Sequence, residues 1–297
     1  MFSYRHAFHA GNHADVLKHV VLLQLLRHLA GKEAPFWVID THAGAGLYRL
    51  DGDWAARRGE FADGIGRLWT RDDAPPAVAD YLALVREHNP DGVLRHYPGS
   101  PFIALKHLRE QDRLRLFEAH STEIGVLTGN IEAAGRTAQR QTRAQAADGF
   151  AQLKALLPPP PRRALTLIDP SYEDKRDYVR VTASLREGLE RFATGCYAVW
   201  YPQVQRPEAI ELPRRLLRLP GIRWLHATLT VRAPSDDGLG LHGSGLFVVN
   251  PPWTLAAALR DSLPWLTEAL AQDAGARWTL DAGEPPPAPP RRPRGLE

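Results

Sequence analysis

Short runs of β-branched and aromatic residues alternate along this chain with longer stretches of helical periodicity. Such alternation is typical of an open sheet in which most strands are parallel and helices form the crossovers. Seven runs have the length and composition of strands, at residues 36–40, 114–118, 138–142, 164–169, 197–201, 224–231 and 245–250. Only a glycine-rich stretch, 233–244, joins the last two, and it is too short for a helical crossover. We therefore predict a mostly parallel sheet that ends in an antiparallel hairpin.

A helix is predicted before the first strand, over residues 13–29, with Asn12 as its N-cap and Gly31 just beyond its end. The start of the chain is rich in histidine, at His6, His9, His13 and His19. On a helix, His13 and His19 are separated by about 240° of rotation and do not share a face. We therefore predict no metal site here.

The stretch 47–97 interrupts the alternation and contains helical patterns around 64–70 and 76–87, so we interpret it as a small helical insertion. Residues 283–297 are rich in proline and arginine, and we expect this tail to be disordered because it cannot bury apolar surface. The predicted domain organisation is a core of residues 1–46 and 98–282, an insertion of residues 47–97, and a tail of residues 283–297.

Composition excludes several classes of protein. The single cysteine, Cys196, excludes an intramolecular disulfide and a Cys-x-x-Cys metal or redox motif. No apolar run is long enough to span a membrane, and the N-terminus does not resemble a signal peptide, so we expect a soluble, cytoplasmic protein. Arginine outnumbers lysine and the pI is about 9.1, which suits contact with nucleic-acid phosphates. A GC-rich genome would give the same bias.

A glycine loop follows the first predicted strand, in the segment from Asp40 to Gly46 that contains His42 and Gly44. In open α/β sheets, ligands bind beyond the carboxyl ends of the strands, where glycines let the backbone approach them closely. No third glycine follows at the spacing of a dinucleotide fingerprint. The loop therefore indicates either a nucleoside cofactor site, with Asp40 near a methionine moiety, or a tight turn without a ligand.

Two further acidic residues end or follow predicted strands. Glu118 could accept hydrogen bonds from both ribose hydroxyls of a nucleoside, and Asp148, before Gly149, could accept one from an adenine amino group. An exposed turn aspartate would look the same as Asp148. Ser100 precedes Pro101 where a helix begins, and capping that helix is its simplest use. The large separation between the glycine loop and Glu118 argues against a dehydrogenase.

The tetrapeptide Asp169-Pro170-Ser171-Tyr172 supplies the groups needed to methylate an amino nitrogen conjugated with a purine ring. That nitrogen is a poor nucleophile until acceptors for its hydrogens push it toward sp3 geometry. The Asp169 side-chain oxygen and the Pro170 carbonyl are such acceptors, and the Tyr172 ring could hold the base flat once it is unstacked.

A second tetrapeptide, Asn250-Pro251-Pro252-Trp253, fits the general [Asp/Asn]-Pro-Pro-aromatic pattern better in its third position. Strand direction favours Asp169, because its strand is predicted parallel to the cofactor-binding strands. Asn250 ends an antiparallel strand and should emerge at the opposite edge of the sheet. We interpret the segment from Asn250 to Trp253 as a strand-to-helix turn.

The opening from Tyr4 to His19 resembles the J-type 23S ribosomal RNA (adenine-N6)-methyltransferases, and so do Asp40 to Gly46, Tyr97 to Pro101, Asp148-Gly149 and Leu167 to Pro170. The likeness extends from residue 1 to about residue 270. It implies a seven-stranded, Rossmann-like class I methyltransferase fold that transfers a methyl group from S-adenosylmethionine to N6 of adenine 2030 in 23S rRNA and releases S-adenosylhomocysteine.

By the same resemblance, a defined set of residues would hold S-adenosylmethionine: Lys18, His19, His42, Ser100, Glu118, Asp148, Gly149 and Asp169, with Gly44 from the glycine loop. Asp169 would be the catalytic acceptor and Tyr4 would contact the RNA. We expect a monomer with no metal. Members of the family carry a second proline where this chain has Ser171, and we expect activity to survive that difference because the acceptors remain.

Other functions stay open at this stage. A DNA adenine methyltransferase could use the same tetrapeptide, and a nicotinamide-dependent oxidoreductase or a non-catalytic RNA-binding protein could use a similar sheet. A cytosine-C5 methyltransferase needs a cysteine nucleophile. Cys196 lies beside a predicted strand with no adjacent proline, and we interpret it as a core residue.

Overall fold

The computed structural model describes residues 8–51 and 59–285. Its strands, in chain order, are β1 (Trp37–Asp40), β2 (Leu47–Arg49), β3 (His96–Pro98), β4 (Arg113–Glu118), β5 (Thr142–Ala146), β6 (Ala164–Ile168), β7 (Cys196–Gln203), β8 (Trp224–Thr230), β9 (Gly243–Val249) and β10 (Arg277–Gly283). Within these residues, eight strands form one sheet in the order β10-β8-β9-β7-β6-β1-β4-β5.

The sheet has a parallel half and an antiparallel half. Strands β5, β4, β1, β6 and β7 are parallel to one another. Strand β9 is antiparallel to both β7 and β8, and β10 is antiparallel to β8. The mostly parallel sheet with a terminal hairpin is therefore confirmed, and with it the class I methyltransferase fold.

Helices cover both faces of the sheet: α1 (His13–Ala30), α2 (Ile65–Leu68), α3 (Pro76–Glu87), α4 (Ser100–His107), α5 (Ser121–Ala133), α6 (Arg136–Gln141), α7 (Gly149–Leu156), α8 (Asp177–Arg191), α9 (Pro207–Leu217) and α10 (Leu255–Leu270). A short 3-10 helix spans Glu60–Asp63. One hydrophobic cluster joins α1, α3 and α10 to one face, and a second joins α8 and α9 to the other. No helix in the described part of the chain is both long and apolar enough to cross a bilayer.

Helix α1 begins and ends where the sequence indicated. The Asn12 side chain accepts hydrogen bonds from the backbone of Ala14 and Asp15, each at 3.0 Å, and the Gly31 amide donates to the Arg27 carbonyl. Most of the helix is buried, including its polar residues Lys18 and His19. Burial of polar side chains requires partners. Lys18 contacts Asp15 and Asp169 in the wall of the cavity described below, and His19 contacts Tyr97 behind that wall.

Two parts of the sheet differ from the sequence prediction. The third strand was placed at 138–142, but residues 136–141 form α6 and the strand is β5. Strand β10 was not predicted at all. Both are edge strands whose side chains are mostly exposed or half-buried, so neither has the apolar alternation on which strand prediction depends.

The segment 47–97 contains a two-stranded antiparallel sheet, β2 with β3, which brings its ends together, with α2 and α3 between the strands. Helix α3 has the predicted bounds and packs against α1 and α10. Residues 52–58 of this segment and residues 286–297 of the tail lie outside the described residues, so the domain boundaries and the disorder of the tail stay predictions.

Candidate functional site

A cavity of about 670 Å³ opens at the carboxyl ends of β1, β4, β5 and β6. Side chains of α1 and the start of α4 contribute to its wall, and the loop of residues 238–241 contributes to its rim. Among the described residues, the predicted site residues all line it: Lys18, His19, His42, Gly44, Ser100, Glu118, Asp148, Gly149, Asp169, Pro170 and Tyr172. Tyr4 lies outside the described residues.

Lys18 joins two carboxylates in the wall of the cavity. Its Nζ lies 2.5 Å from Asp169 Oδ2 and 2.8 Å from Asp15 Oδ1, and its side chain is 5% exposed. Burial opposes the charge of Lys18, but attraction to Asp15 and Asp169 outweighs it and raises the pKa of Lys18 above its ordinary value. Lys18 is therefore charged, and it orients the Asp169 side chain from a rigid helix.

Asp40 is buried at the end of β1 and is held by two donors. Ser100 Oγ donates to Asp40 Oδ2 at 2.6 Å, and the His42 amide donates to Oδ1 at 3.1 Å. Burial nevertheless raises the pKa of Asp40 to about 6, with a smaller contribution from the charge of Asp169. Ser100 thus binds Asp40 across the cavity wall, a contact that its position at the start of α4 did not reveal.

This shifted pKa predicts a specific pH dependence of stability. Between about pH 4 and 6, folded Asp40 keeps a proton that the unfolded chain has released, so the free energy of unfolding should fall as pH rises through this window, by about 3 kcal/mol. Urea denaturation of the wild type and Asp40→Asn at pH 4, 5, 6 and 7 measures it. The variant should lack this fall, and parallel curves for the two proteins would contradict the prediction.

Glu118 extends from the end of β4 toward the glycine loop. Its Oε2 accepts a hydrogen bond from the Gly44 amide at 2.9 Å, and its Oε1 accepts one from the His120 amide at 2.7 Å. Gly44 has a φ of 58°, and a Cβ there would collide with the Tyr48 hydroxyl. Glycine is required at Gly44, and the carboxylate is fixed with remaining lone pairs available to hydroxyl donors.

His42 is held in one tautomer. The Thr41 hydroxyl donates its single proton to the Leu167 carbonyl at 3.0 Å, so it can only accept from His42 Nδ1, 2.8 Å away. Burial lowers the pKa of His42 to about 3, so the ring is neutral. It therefore carries its proton on Nδ1 and offers Nε2 as an acceptor.

Asp148 caps α7 and accepts a hydrogen bond from the Phe150 amide at 3.1 Å. It also forms an ion pair with Arg180, whose guanidinium lies 4.4 Å from the centre of the Phe150 ring. The next residue, Gly149, is packed so closely on Thr41 that a Cβ would collide with the Thr41 carbonyl. The absence of a side chain at Gly149 therefore lets the start of α7 pack directly on the end of β1, with the Asp148 carboxylate beside it in the cavity lining.

The Tyr172 ring is placed differently from our expectation of an open stacking face. It is 2% exposed, and its hydroxyl donates to the Trp200 carbonyl at 2.6 Å. The ring packs against Tyr178, with centroids 4.6 Å apart. Tyr172 thus anchors the loop after Asp169, and its buried ring contributes to the cavity lining.

Asp15 and Trp200 are among the residues of the cavity wall to which the sequence did not point. Asp15 is buried, and only its spacing of three residues from Lys18 on α1 could have suggested the ion pair. Trp200 lies on β7 with its ring 5.7 Å from Lys18 Nζ, close enough for a cation–π contact. Nothing in the sequence around Trp200 distinguishes it from a core residue.

The second tetrapeptide lies at the other edge of the sheet. Asn250 Nδ2 donates to the carbonyls of Ala193 and Gly195, which precede β7, at 2.8 Å each. Trp253 is 82% exposed. The segment is therefore at the amino end of β7, away from the cavity.

Asn250 offers a test of this placement. It has a φ of 53°, so Asn250→Ala should lose two hydrogen bonds and strain the backbone, at a cost of about 2–3 kcal/mol of stability. Turnover per folded molecule should not change. Glycine adopts this backbone conformation without strain but lacks the side-chain amide. Comparison of Asn250→Gly with Asn250→Ala therefore separates the cost of backbone strain from the cost of the lost hydrogen bonds. A loss of turnover in the folded Asn250→Ala protein would instead place chemistry at this segment.

The cavity matches a nucleoside cofactor in size and in chemistry. Its volume lies in the range of small-molecule sites. The glycine loop lets a ligand approach the backbone, and the fixed Glu118 carboxylate can accept hydrogen bonds from a diol. The Gly149 backbone and the Asp148 carboxylate lie together in the lining, where they can meet a ring. Among residues 8–51 and 59–285, no group of three His, Cys, Asp or Glu side chains could hold a metal ion.

Comparison with known proteins gives consistent matches. The model of a family described as ribosomal RNA large subunit methyltransferase D, RlmJ, matches residues 33–281. The chain is 47% identical over 270 residues to ribosomal RNA large subunit methyltransferase J of Escherichia coli (strain K12), covering 91% of this chain and 94% of that protein. It is 44% identical to the protein of that name from Haemophilus influenzae, covering 95% and 98%. A solved structure of a Legionella pneumophila protein has a TM-score of 0.84 at 33% identity, covering 93% and 98%.

Proposed function

This chain belongs to the J-type family of large-subunit ribosomal RNA methyltransferases, and on that premise we propose that it methylates N6 of adenine 2030 in 23S rRNA with S-adenosylmethionine as methyl donor. The observation that supports methylation of an exocyclic amino group is the position of Asp169, next to Pro170, at the cofactor edge of the sheet and bound to Lys18. The choice of adenine rests on the resemblance to the family.

The proposed chemistry rests on hydrogen-bond acceptors. Asp169 Oδ and the Pro170 carbonyl accept hydrogen bonds from the two N–H groups of the adenine amino group. These bonds push the nitrogen toward sp3 geometry, so that its lone pair is less conjugated with the ring and can attack the methyl group. Bound S-adenosylmethionine would supply an electrophilic methyl group: the bond from N6 to the methyl carbon forms as the sulfur–carbon bond breaks, which gives S-adenosylhomocysteine. The methylated nitrogen then releases one of its two protons to solvent. Lys18 holds Asp169 in place from a buried helix, so this acceptor needs little reorganisation during the reaction. Tyr172 anchors the loop, and Ser171 does not remove either acceptor.

The cofactor would be held by groups already arranged for it. Glu118 suits the ribose hydroxyls, and Asp148 with the Gly149 backbone suits the adenine ring. The remaining contacts would come from Lys18, His19, His42, Gly44, Ser100 and Asp169. Tyr4 would contact the RNA. We further propose a cytoplasmic monomer that uses no metal.

Three alternatives are compared with this proposal. A DNA adenine methyltransferase would use the same acceptors, and the names of the relatives, which specify ribosomal RNA, favour the RNA substrate. A cytosine-C5 mechanism is disfavoured because Cys196 lies outside the cavity lining and burial raises the pKa of its thiol to about 12. A nicotinamide-dependent oxidoreductase would bind NADH rather than S-adenosylhomocysteine.

The decisive experiment compares substrates. Labelled methyl transfer is measured on protein-free 23S RNA from a strain that lacks the modification, and on duplex DNA of matched length. We expect label in RNA, at N6 of one adenine. Label in DNA alone would overturn the proposal. Calorimetry that finds no binding of S-adenosylhomocysteine would reject methyl transfer altogether.

A further inference from the structure

Three buried side chains form a hydrogen-bonded chain that connects the 47–97 segment to the cavity. Tyr81 lies on α3, Tyr97 on β3 and His19 on α1. The Tyr81 and Tyr97 hydroxyl oxygens are 2.8 Å apart, and the Tyr97 hydroxyl oxygen is 2.7 Å from His19 Nδ1. Each side chain is at most 1% exposed. Of the three, His19 lines the cavity, and the tyrosines lie behind it.

Proton counting determines the direction of this chain. Burial raises the pKa of both Tyr81 and Tyr97, so each phenol keeps its single proton at neutral pH. If His19 donated from Nδ1, Tyr97 would donate to Tyr81, and the Tyr81 proton would have no acceptor within residues 8–51 and 59–285. In the opposite direction Tyr81 donates to Tyr97 and Tyr97 donates to His19 Nδ1. The second direction leaves the remaining proton on His19 Nε2, in the cavity lining, where a bound ligand can accept it, whereas the Tyr81 hydroxyl lies behind the lining. A buried donor without an acceptor is costly, so the second direction is favoured.

We propose that Tyr81 and Tyr97 are positioning residues that fix His19 as the neutral tautomer protonated on Nε2, so that it acts toward the cofactor as a hydrogen-bond donor. This inference rests on the proposed function, because it concerns the same cavity. The amino-acid end of S-adenosylmethionine carries a carboxylate, which only accepts, and an ammonium, which only donates. A His19 that can donate at Nε2 recognises the carboxylate and disfavours the ammonium.

The hydrogen-bonded chain from Tyr81 through Tyr97 to His19, which we call the relay, also gives the 47–97 segment a part in cofactor binding. Tyr81 is supplied by α3, in the middle of that segment, and Tyr97 by β3, where the segment returns to the sheet. The stacked rings of Tyr97 and His19, with centroids 5.5 Å apart, add a packing contact to the hydrogen bond. A change in the position of α3 would therefore reach the cofactor site through His19.

Tyr97→Phe tests the relay, and Tyr201→Phe is its matched control. Tyr201 is also a buried tyrosine bound to a histidine, with its hydroxyl 2.6 Å from His226 Nε2, and neither residue lines the cavity. Calorimetry with S-adenosylhomocysteine should show a Kd about tenfold higher for Tyr97→Phe, as expected for one lost hydrogen bond, and a change within about twofold for Tyr201→Phe. Urea denaturation of both variants checks that their losses of stability are comparable.

Nitrogen NMR of histidine-labelled protein reads the tautomer directly. His19, assigned by comparison with His19→Gln, should carry its proton on Nε2 in the wild type. In Tyr81→Phe, Tyr97 can either donate or accept, so we expect a mixture of His19 tautomers and a smaller loss of affinity than in Tyr97→Phe. The Tyr81→Phe variant also keeps the test available if Tyr97→Phe does not fold.

The possible outcomes separate this inference from the proposed function. If the wild type fails to bind S-adenosylhomocysteine, the proposed function is wrong and the relay loses its purpose. If the wild type binds it but Tyr97→Phe binds as tightly as Tyr201→Phe, only the relay is overturned. A wild-type His19 protonated on Nδ1 would overturn the relay as well.

Discussion

Asp169→Ala should reduce methyl transfer to 23S RNA by a factor of about 10² to 10³ or more, because it removes an acceptor needed in the transition state. Asp169 is one of several proposed cofactor contacts, so affinity for S-adenosylhomocysteine should be largely retained and should fall much less than the rate of transfer. Lys18 remains paired with Asp15 in this variant, so the wall of the cavity keeps a compensated charge. The measurement is single-turnover transfer together with calorimetry on the same preparation.

Asp169→Asn is the matched control for that experiment. Its amide oxygen can still accept a hydrogen from the adenine amino group, so it should retain part of the activity that the alanine variant loses. Equal losses in the two variants would indicate that charge matters more than the acceptor. An alanine variant that methylates RNA at the wild-type rate would refute the mechanism proposed for Asp169.

Lys18→Met should be the most destabilising single change in the cavity, at a cost of about 3–5 kcal/mol in the free energy of unfolding. The cause is the burial of two carboxylates that this lysine joins, because Asp15 is 2% exposed and the Asp169 side chain 12%. Without the lysine, like charges face one another in a site of low polarity. Urea denaturation at neutral pH measures the loss.

The double variant Lys18→Met/Asp15→Asn distinguishes this explanation from simple loss of packing. It removes one of the two carboxylate charges that Lys18 neutralises in the wild type, so it should recover a substantial part of the stability lost in Lys18→Met. If Asp15→Asn lowers the free energy of unfolding of Lys18→Met by as much as it lowers that of the wild type, the carboxylates are not the source of the loss. Activity should remain low in either case, since Lys18 no longer orients Asp169.

Much of the core was predictable because its signals are local. The N-cap at Asn12 and the end of α1 at Gly31 are determined by turn chemistry within a few residues. The buried strands are apolar on both faces, so their sequences distinguish them from the surrounding helices. Strands β5 and β10 lie at the edges of the sheet, where partial exposure removes that signal.

The candidate site, too, was predictable from the sequence only in part. Residues at the ends of strands, such as Glu118 and Asp169, could be identified because parallel strands bring their carboxyl ends to one edge. The partners of these residues could not be identified. Lys18 and Asp169 are 151 positions apart in the chain, and the relay from Tyr81 to His19 joins three separate elements.

By itself, then, the sequence determined the alternating architecture, the direction of the strand before each tetrapeptide and the residue types at the ligand edge. These depend on periodicity and turn chemistry over short distances. Only the tertiary structure decided that Lys18 bridges Asp15 and Asp169, that Tyr172 is an anchor with a buried ring, and that His19 is held from behind by two tyrosines. Burial and hydrogen-bond partners arise when distant segments pack together, and no local pattern encodes which segments meet.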